Sequence, residues 1–289
     1  MHTDDPLRAR YRLACEIAAE AGRRTLAYFQ QPHLNVESKA DHTPVTAADR
    51  EAEQYLRERI IEAFPDDGII GEEYGERAGT SPFRWILDPI DGTRSFVCGV
   101  PLYGTLVGLQ RDETSVAGVI EMPALGESVH ACRGEGAWYC RRDEQPVRAQ
   151  VSTCAKLSDA VFVTSEVATF HQRRAAHLFD TLARACRVTR TWGDCYGYLL
   201  VATGRADLML DPVMSIWDAA AILPVIEEAG GRFTDWSGRA TVTSKEGIAC
   251  NTRLLPQVLP LLHPAERDES GKPEGTGLDP LVSSCLLSC

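Results

Sequence analysis

Long apolar segments are missing from this sequence. No stretch approaches the ~20 consecutive apolar residues that a membrane-spanning helix needs. Residues 1–12 are polar and contain no apolar core of a signal peptide. We therefore expect a cytoplasmic protein that does not insert into a membrane.

Motifs of several common catalytic sites are missing as well. The sequence has no G-x-S-x-G nucleophile elbow and no G-x-x-x-x-G-K-S/T phosphate loop. The seven histidines lie away from the acidic motifs described below, except that His42 falls in the loop before Asp49. These absences argue against a Ser-His-Asp triad and against a histidine base. They favour a water molecule activated by a metal ion and an acid.

The ten cysteines include no C-x-x-C pair. In a chain expected in the cytoplasm, this pattern predicts reduced cysteines, most of them small core residues. We do not expect a zinc site.

The net charge of the 289 residues is −11. This excess of acid argues against nucleic acid or an anionic membrane as the main partner. It still permits a phosphate substrate, because metal ions can supply positive charge locally. The length suits one large domain or two halves that share a core.

The spacing of apolar residues predicts helices and then strands in the first part of the chain. Amphipathic helices are predicted over 6–31 and 46–64, the second beginning at Thr46. Alternating apolar residues over 102–139 predict an antiparallel meander with turns at glycines.

Strands alternate with helices from residue 161 onward, which is typical of an α/β unit. Two of its helices are predicted over 170–186 and 215–229. We therefore predict an N-terminal α+β half (1–150) and a C-terminal α/β half (151–262). The remaining residues, 263–289, are rich in Glu, Gly, Ser and Pro and are predicted to form a disordered tail.

The motif Trp85–Thr93 is the centre of the predicted site. Its apolar start predicts a buried strand, and its Asp-Pro and Asp-Gly pairs predict that the strand ends in a turn. Asp88 and Asp91 would repel each other there if nothing paired with them. Mg²⁺ would remove that conflict, because it favours carboxylate and carbonyl oxygens. Taken alone, an acid pair of this spacing is more typical of a surface turn with two solvated acids.

Two acids lie three residues after a possible helix cap. Asp49 follows Thr46 and Asp218 follows Ser215, and capping alone would explain either acid. Alternatively, Asp218 presents its carboxylate to a cation, and Asp49 reaches the central turn and accepts a proton through Thr93.

Two further features could complete the site. Glu72 and Glu73 follow a short strand and a glycine, so one of them could join Asp88 as a metal ligand, although both could equally be exposed loop acids. Gly92 and Thr93 open a helical turn whose free N–H groups could hold a phosphate.

Four motifs in one order give the chain a resemblance to a known family. They are T-P-V-T-A-A-D ending at Asp49, G-E-E with Glu72, W-I-L-D-P-I-D-G-T at 85–93 and W-D-A-A-A at 217–221. Together they resemble the inositol monophosphatase superfamily of Mg²⁺-dependent phosphatases, and the resemblance covers roughly residues 7–262. Within it the chain looks most similar to histidinol-phosphate phosphatases, through D-G-T-R-S-F at 91–96, G-V-P-L-Y-G-T-L at 99–106, G-D-C-Y-G-Y at 193–198 and E-A-G-G at 228–231.

This resemblance implies a layered α/β/α/β/α fold, two or three Mg²⁺ ions per site and a homodimer. It implies roles for individual residues too. The implied metal ligands are Glu72, Asp88, the Ile90 carbonyl, Asp91 and Asp218. Gly92 and Thr93 would hold the phosphate, and Asp49, Glu72 and Thr93 would be catalytic. The organic part of the substrate would meet Arg94, Gly193, Asp194 and Asp211.

The reaction implied is hydrolysis of a small phosphate ester, with histidinol phosphate as the expected substrate. Asp194 and Asp211 could pair with the ammonium and imidazole of that ester, whereas a neutral polyol needs no such charge. Arg94 could approach the phosphate or simply be exposed. The alternatives are an inositol-1-monophosphatase or related sugar phosphatase, and a non-catalytic metal-binding or assembly protein.

Overall fold

The computed structural model describes residues 5–32, 36–38, 44–142 and 144–262. His42 and the predicted tail lie outside these residues. The described helices are α1 Pro6–Thr25, α2 Ala47–Ala63, α3 Thr93–Val97, α4 Val167–Gln172, α5 Ala176–Ala185, α6 Cys195–Ala202, α7 Ile216–Ala219, α8 Ile222–Glu228 and α9 Leu255–Leu262.

The described strands form three sheets. A two-stranded sheet pairs β1 and β2, and the other two sheets have eight and five strands. The strands are β1 Val36–Ser38, β2 Pro44–Thr46, β3 Gly68–Gly71, β4 Gly75–Arg77, β5 Phe83–Asp91, β6 Gly104–Arg111, β7 Thr114–Met122, β8 Glu127–Cys132, β9 Gly136–Arg141, β10 Val147–Arg148, β11 Val161–Val163, β12 Val188–Arg190, β13 Leu208–Asp211, β14 Gly231–Thr234 and β15 Gly247–Asn251.

The eight-stranded sheet has the order β10-β9-β8-β7-β6-β5-β3-β4. Strands β6 to β9 form the predicted antiparallel meander. Among the described strand pairs of this sheet, only β3–β5 is parallel, so the ends of both strands lie at the same edge of the sheet.

The five-stranded sheet has the order β12-β11-β13-β15-β14. It is mixed, because β11 is parallel to β12 and β13 while β15 is antiparallel to β13 and β14. The sequence analysis missed β14. The change from one sheet to the other falls between β10 and β11, and the division of the chain into two halves stays a prediction.

Three helix predictions were wrong in their ends or continuity. The first helix ends at Thr25, and turns follow it to Gln30, which has φ 59°. The helix predicted over 170–186 is interrupted between α4 and α5, where Arg174 adopts φ 56°. The helix predicted over 215–229 is divided into α7 and α8, because Pro224 has no N–H to donate to the Ala220 carbonyl.

The layers follow the implied α/β/α/β/α order. One apolar cluster joins α1 and α2 to the eight-stranded sheet, through residues such as Ile17, Leu56 and Trp85. A second joins both sheets to α6 and α8 between them. A third places α5 and α9 on the outer face of the five-stranded sheet.

Two glycines let the middle layer approach the first sheet closely. A Cβ atom on Gly118 of β7 would lie 2.0 Å from the Ala221 carbonyl oxygen, and one on Gly108 of β6 would lie 2.9 Å from Ala220. Helix α7 also packs on β5. This close packing brings the start of α7 to the end of β5.

The eight described cysteines are free thiols, as predicted, and four of them, Cys132, Cys186, Cys195 and Cys250, are buried. None of the described helices is both long enough and apolar enough to span a bilayer.

Candidate active site

Strand β5 continues through the predicted Asp-Pro stop to Asp91, by way of an irregular pair with β6. Asp88 lies opposite Leu106 and Asp91 opposite Gly104, so two residues of β5 face one residue of β6. In a regular strand, side chains three residues apart point to opposite faces. The extra residue re-aims the chain and lets both carboxylates face one site.

Hydrogen bonds hold this irregular segment. The Ile90 N–H donates to Asp88 Oδ1 over 3.1 Å. The Thr105 hydroxyl donates to the Pro89 carbonyl over 2.8 Å. The backbone groups that leave the sheet ladder are thereby satisfied.

Asp218 joins the two aspartates from helix α7. Ser215 and Asp218 form a capping box, with the Ser215 N–H donating to Asp218 Oδ2 over 2.7 Å. One carboxylate oxygen each from Asp88, Asp91 and Asp218 lies within 4.8 Å of the others. The capping interpretation and the convergence of the acids therefore hold together. We call these three residues the acidic centre.

Glu72 reaches the same place from the end of β3. Its N–H donates to the Leu87 carbonyl over 3.2 Å, which extends the parallel β3–β5 pairing by one residue. Its side chain is hydrogen-bonded to Asp88. Of the two candidate glutamates, Glu72 is the one beside the acidic centre.

Glu53, which the sequence analysis missed, fixes the segment that carries Glu72. This fully buried side chain of α2 accepts hydrogen bonds from the N–H groups of Glu73 (2.7 Å) and Tyr74 (3.2 Å). It is also paired with Arg57 over 2.7 Å. A Cβ atom on Gly71 would lie 2.0 Å from Glu53 Oε1, so only glycine fits there. Glu53 lies on a helix that carries no recognised motif at this position, so the sequence did not indicate its role.

Burial and mutual repulsion disfavour the charged forms of the acidic centre. Burial first, and then the neighbouring carboxylates Glu72, Asp91 and Asp218, raise the pKa of Asp88 well above its ordinary value. Burial followed by Asp194 and Asp218 does the same to the pKa of Asp91. Burial and Glu72 raise the pKa of Asp218 to about 7, although its bond from the Ser215 N–H opposes the shift.

The geometry and donor set of the acidic centre fit a hard divalent cation. Carboxylate oxygens are what Mg²⁺ prefers, and the Ile90 carbonyl adjoins them in the chain. A cation would also offset the mutual repulsion of these carboxylates. Structure and chemistry therefore agree with the implied metal site.

Asp49 and Thr93 do not share a hydrogen bond. Asp49 Oδ2 accepts bonds from the Thr46 N–H (2.8 Å) and hydroxyl (2.6 Å), as in the predicted capping box. Its Oδ1 is buried without a partner among the described residues. The Thr93 hydroxyl donates instead to the Ile90 carbonyl over 3.0 Å. Burial raises the pKa of Asp49, with Glu72 adding a smaller repulsion.

Gly92 forms the turn between β5 and α3. It adopts φ 83°, a left-handed conformation that glycine tolerates without strain. A Cβ atom there would lie 2.8 Å from Asp194 Oδ2, so the carboxylate of Asp194 comes close to the turn. Glycine is thus required at position 92 for both reasons.

A cavity of about 140 Å³ opens beside the acidic centre. Its walls include Asp91, Ser165, Glu166, Asp194, Asp211 and Asp218. Gly193 packs against the Ser165 backbone, where a Cβ atom would lie 2.2 Å from Ser165 Cα. The Cys195 N–H donates to Asp91 Oδ2 over 2.5 Å, which ties α6 to the acidic centre.

Asp211 lies in the wall of this cavity but is already surrounded by donors. It accepts hydrogen bonds from the Thr164 hydroxyl (3.2 Å), the Ser165 N–H (2.9 Å), the Ser165 hydroxyl (3.0 Å) and the Tyr198 hydroxyl (3.0 Å). Burial raises its pKa to about 6 despite these donors. Neither Ser165 nor Tyr198 was predicted as a site residue, although Tyr198 ends the motif G-D-C-Y-G-Y at 193–198.

Arg94 does not point freely into solvent. Its Nη1 lies 2.5 Å from Oε2 of Glu166, a residue that lines the cavity. Glu166 was not among the predicted residues, because a single glutamate after a short strand carries no motif.

The chain is similar to known proteins in both sequence and structure. Residues 7–267 match the inositol monophosphatase family. The chain is 44% identical to a histidinol-phosphatase from Chlorobaculum parvum over 89% of this chain and 97% of that protein. It is 39% identical to a histidinol-phosphatase from Streptomyces coelicolor over 87% and 96% of the two chains. A solved inositol monophosphatase from Zymomonas mobilis superposes with a TM-score of 0.78 at 32% identity, covering 90% of this chain and 99% of that one.

Proposed function

The chain belongs to the inositol monophosphatase family, and from this premise we propose that it is a Mg²⁺-dependent phosphomonoesterase. In the proposed reaction it converts histidinol phosphate and water to histidinol and phosphate, a step of histidine biosynthesis. The observation that carries the proposal is the acidic centre, with its three carboxylates within 4.8 Å, at the end of an acid-walled cavity. The identity to histidinol-phosphatases supports the choice of ester.

We assign two or three Mg²⁺ ions to Glu72, Asp88, the Ile90 carbonyl, Asp91 and Asp218. Bound Mg²⁺ supplies Lewis acidity, which makes water a better nucleophile near neutral pH and stabilises charge on the phosphate and the leaving oxygen. Asp88 neighbours Glu72, Asp91 and Asp218 at once, so it would be the central ligand of this set.

The turn after β5 holds the phosphate in this proposal. The N–H groups of Gly92 and Thr93 begin helix α3, where they have no partner within the helix. Gly92 has no side chain to obstruct an approaching phosphate.

Asp49, Glu72 and Thr93 have the catalytic positions. We assign Asp49 Oδ1, which accepts no bond from the described residues, to orient the attacking water together with the Thr93 hydroxyl. Thr93 must give up its bond to the Ile90 carbonyl to do so. Glu72 lies beside Asp88 at the same end of the site.

The organic part of the ester occupies the cavity. Asp194 is placed to meet a cationic group there, and Gly193 lets its segment pack closely on Ser165. Arg94 is placed to approach the phosphate. Asp211 contributes by holding Ser165 and Tyr198 in the cavity wall.

The decisive experiment measures phosphate release from histidinol phosphate and from inositol 1-phosphate, each with Mg²⁺ and with EDTA. We expect Mg²⁺-dependent release that strongly favours histidinol phosphate. A preference for inositol 1-phosphate would overturn the substrate and keep the chemistry. No release from either ester, together with no Mg²⁺ binding by calorimetry, would favour the non-catalytic alternative.

An inositol-1-monophosphatase is the second candidate. The superposition on the Zymomonas mobilis inositol monophosphatase favours it, because the two proteins share a fold. The acidic side chains that line the cavity disfavour this candidate, since a neutral polyol leaves their carboxylates without a cation.

Assembly and location are proposals with separate tests. We propose a homodimer, which light scattering would contradict by a monomer mass. We propose a cytoplasmic location, which fractionation of cells that make the protein would contradict by recovery elsewhere.

A further inference from the structure

One ion pair links the phosphate side of the site to the cavity wall. Arg94 lies in α3, directly after the turn formed by Gly92 and Thr93, and Glu166 lies just before α4 on the side of the five-stranded sheet. The side chains meet at 2.5 Å and remain 65% and 42% exposed. A pair this exposed stabilises a protein little, so its partners can be exchanged at small cost.

Three acids of the cavity wall lie outside the acidic centre, and they are held to different degrees. Asp211 accepts four hydrogen bonds from the protein. Asp194 is half-buried and packed against Gly92. Among the residues that the structure describes, the Glu166 carboxylate has Arg94 as its hydrogen-bond partner and caps no helix. It is the acid best able to change partners.

The backbone of Glu166, in contrast, is fixed. Its carbonyl accepts a bond from the Thr169 hydroxyl over 2.6 Å in the first turn of α4. The preceding residue, Ser165, is anchored to Asp211 by its N–H and its hydroxyl. The side chain therefore starts from a defined point at the cavity and can turn either to Arg94 or inward.

We propose that Glu166 is a specificity residue that selects phosphate esters carrying an amine. Such an ester brings an anion and a cation, so it can replace both partners of the Arg94–Glu166 pair. The phosphate pairs with Arg94, and the ammonium pairs with Glu166. An ester of a neutral polyol offers only the anion, which leaves the Glu166 carboxylate facing the cavity unpaired.

This proposal rests on the proposed function, which it deepens by naming the residue that recognises the amine. It also distinguishes the roles of two acids in the cavity wall. Glu166 forms the exchangeable contact, whereas Asp211 shapes the cavity through Ser165 and Tyr198.

The test compares Glu166→Gln with the wild type on histidinol phosphate and inositol 1-phosphate. We expect kcat/KM for histidinol phosphate to fall about 10-fold, mostly through KM, because a charged hydrogen bond is lost. For inositol 1-phosphate we expect no loss or a gain, because the unpaired carboxylate is gone. Inhibition by histidinol should weaken by a similar factor, while inhibition by inorganic phosphate should not weaken.

Glu135→Gln is the matched control. Glu135 is paired with Arg8 over 2.5 Å, with side chains 32% and 56% exposed, and does not line the cavity. We expect its kinetics to equal those of the wild type. Equal losses on both esters in Glu166→Gln, or no change on either, would overturn the role of Glu166 and leave the proposed function standing. A wild-type enzyme inactive on histidinol phosphate would overturn the proposed function and this inference with it.

Discussion

At the scale of single residues, the acidic centre consists of groups that are unfavourable together until a cation joins them. Asp88, Asp91 and Asp218 come from two elements and share a space where burial and repulsion both favour protonation. A protein gains no stability from such a set by itself. We infer that the residues are arranged for the cation and not for the fold.

The substitution Asp91→Asn separates the contribution of this side chain to metal binding from its contribution to the fold. We expect phosphate release to fall at least about 100-fold, because the amide is a poorer ligand than a carboxylate for a hard cation. We expect the fold to survive, since Asn can still accept the bond from the Cys195 N–H and adds no buried charge. Activity assays with Mg²⁺, beside circular dichroism and melting curves, measure both effects.

Asp112→Asn is the control for that substitution, because Asp112 lies in the exposed β6–β7 turn. Its positive φ of 49° suits asparagine as well as aspartate. Near-wild-type activity in Asp91→Asn would contradict its assignment as a metal ligand.

At the scale of elements, one buried aspartate connects the first helix to the edge of the first sheet. Asp67, at the start of β3, accepts bonds from Arg10 Nε (2.7 Å) and Nη2 (2.8 Å), from the Ser81 hydroxyl (2.6 Å) and from Trp85 Nε1 (2.9 Å). The guanidinium of Arg10 also lies 4.0 Å from the Phe83 ring centroid. Helix α1 and strand β5 are thus held through one carboxylate.

Asp67→Ala is expected to lower the free energy of unfolding by about 3 kcal/mol, because it leaves the guanidinium of Arg10 largely buried without its partner. Chemical denaturation measures the loss. The exposed neighbour Asp66 supplies the control, since Asp66→Ala removes only a solvated carboxylate. Equal effects of the two substitutions would contradict the role given to Asp67.

At the scale of the whole molecule, the site draws on both large sheets. Strands β3 and β5 carry Glu72, Asp88 and Asp91, and the middle layer carries Asp218. The five-stranded sheet places Asp211 and the segment with Glu166 opposite them. Because metal ligands come from different layers, binding of a cation is expected to stabilise the assembled fold.

The stability of the metal-free protein is expected to fall as the pH rises. In the unfolded chain the aspartates ionise near pH 4, whereas in the folded chain the pKa values of Asp88 and Asp91 are well raised and that of Asp218 is about 7. The folded protein therefore binds more protons over this window, and its advantage is lost as the pH passes from about 4 to above 7. Calorimetric melting in EDTA at about pH 5 and about pH 8 tests this.

Magnesium is expected to reverse the trend. Its addition should raise the melting temperature more at about pH 8 than at about pH 5, because the carboxylates can ionise against the cation. Asp91→Asn should show a smaller loss of stability between the two pH values in EDTA, since the amide has no proton to lose. A magnesium effect that is equal at both pH values would contradict the account.

The sequence by itself determined the family, the order of the site motifs and the helices and strands with clear periodicity. The meander over 102–139 and the helix beginning at Thr46 formed as predicted, because alternation of apolar residues and a capping threonine act locally. The acids Glu72, Asp88, Asp91 and Asp218 were found from the sequence, because short motifs at the ends of strands and helices mark such positions.

Only the tertiary structure decided which groups meet and which of them remain free. The irregular pairing of β5 with β6 turns Asp88 and Asp91 to one side, and the glycines of β6 and β7 admit the helix that brings Asp218. The contacts of Glu53 and Glu166, and the missing bond between Asp49 and Thr93, likewise depend on residues distant in the chain. Periodicity and spacing describe local neighbours, whereas these contacts are set by how the layers pack.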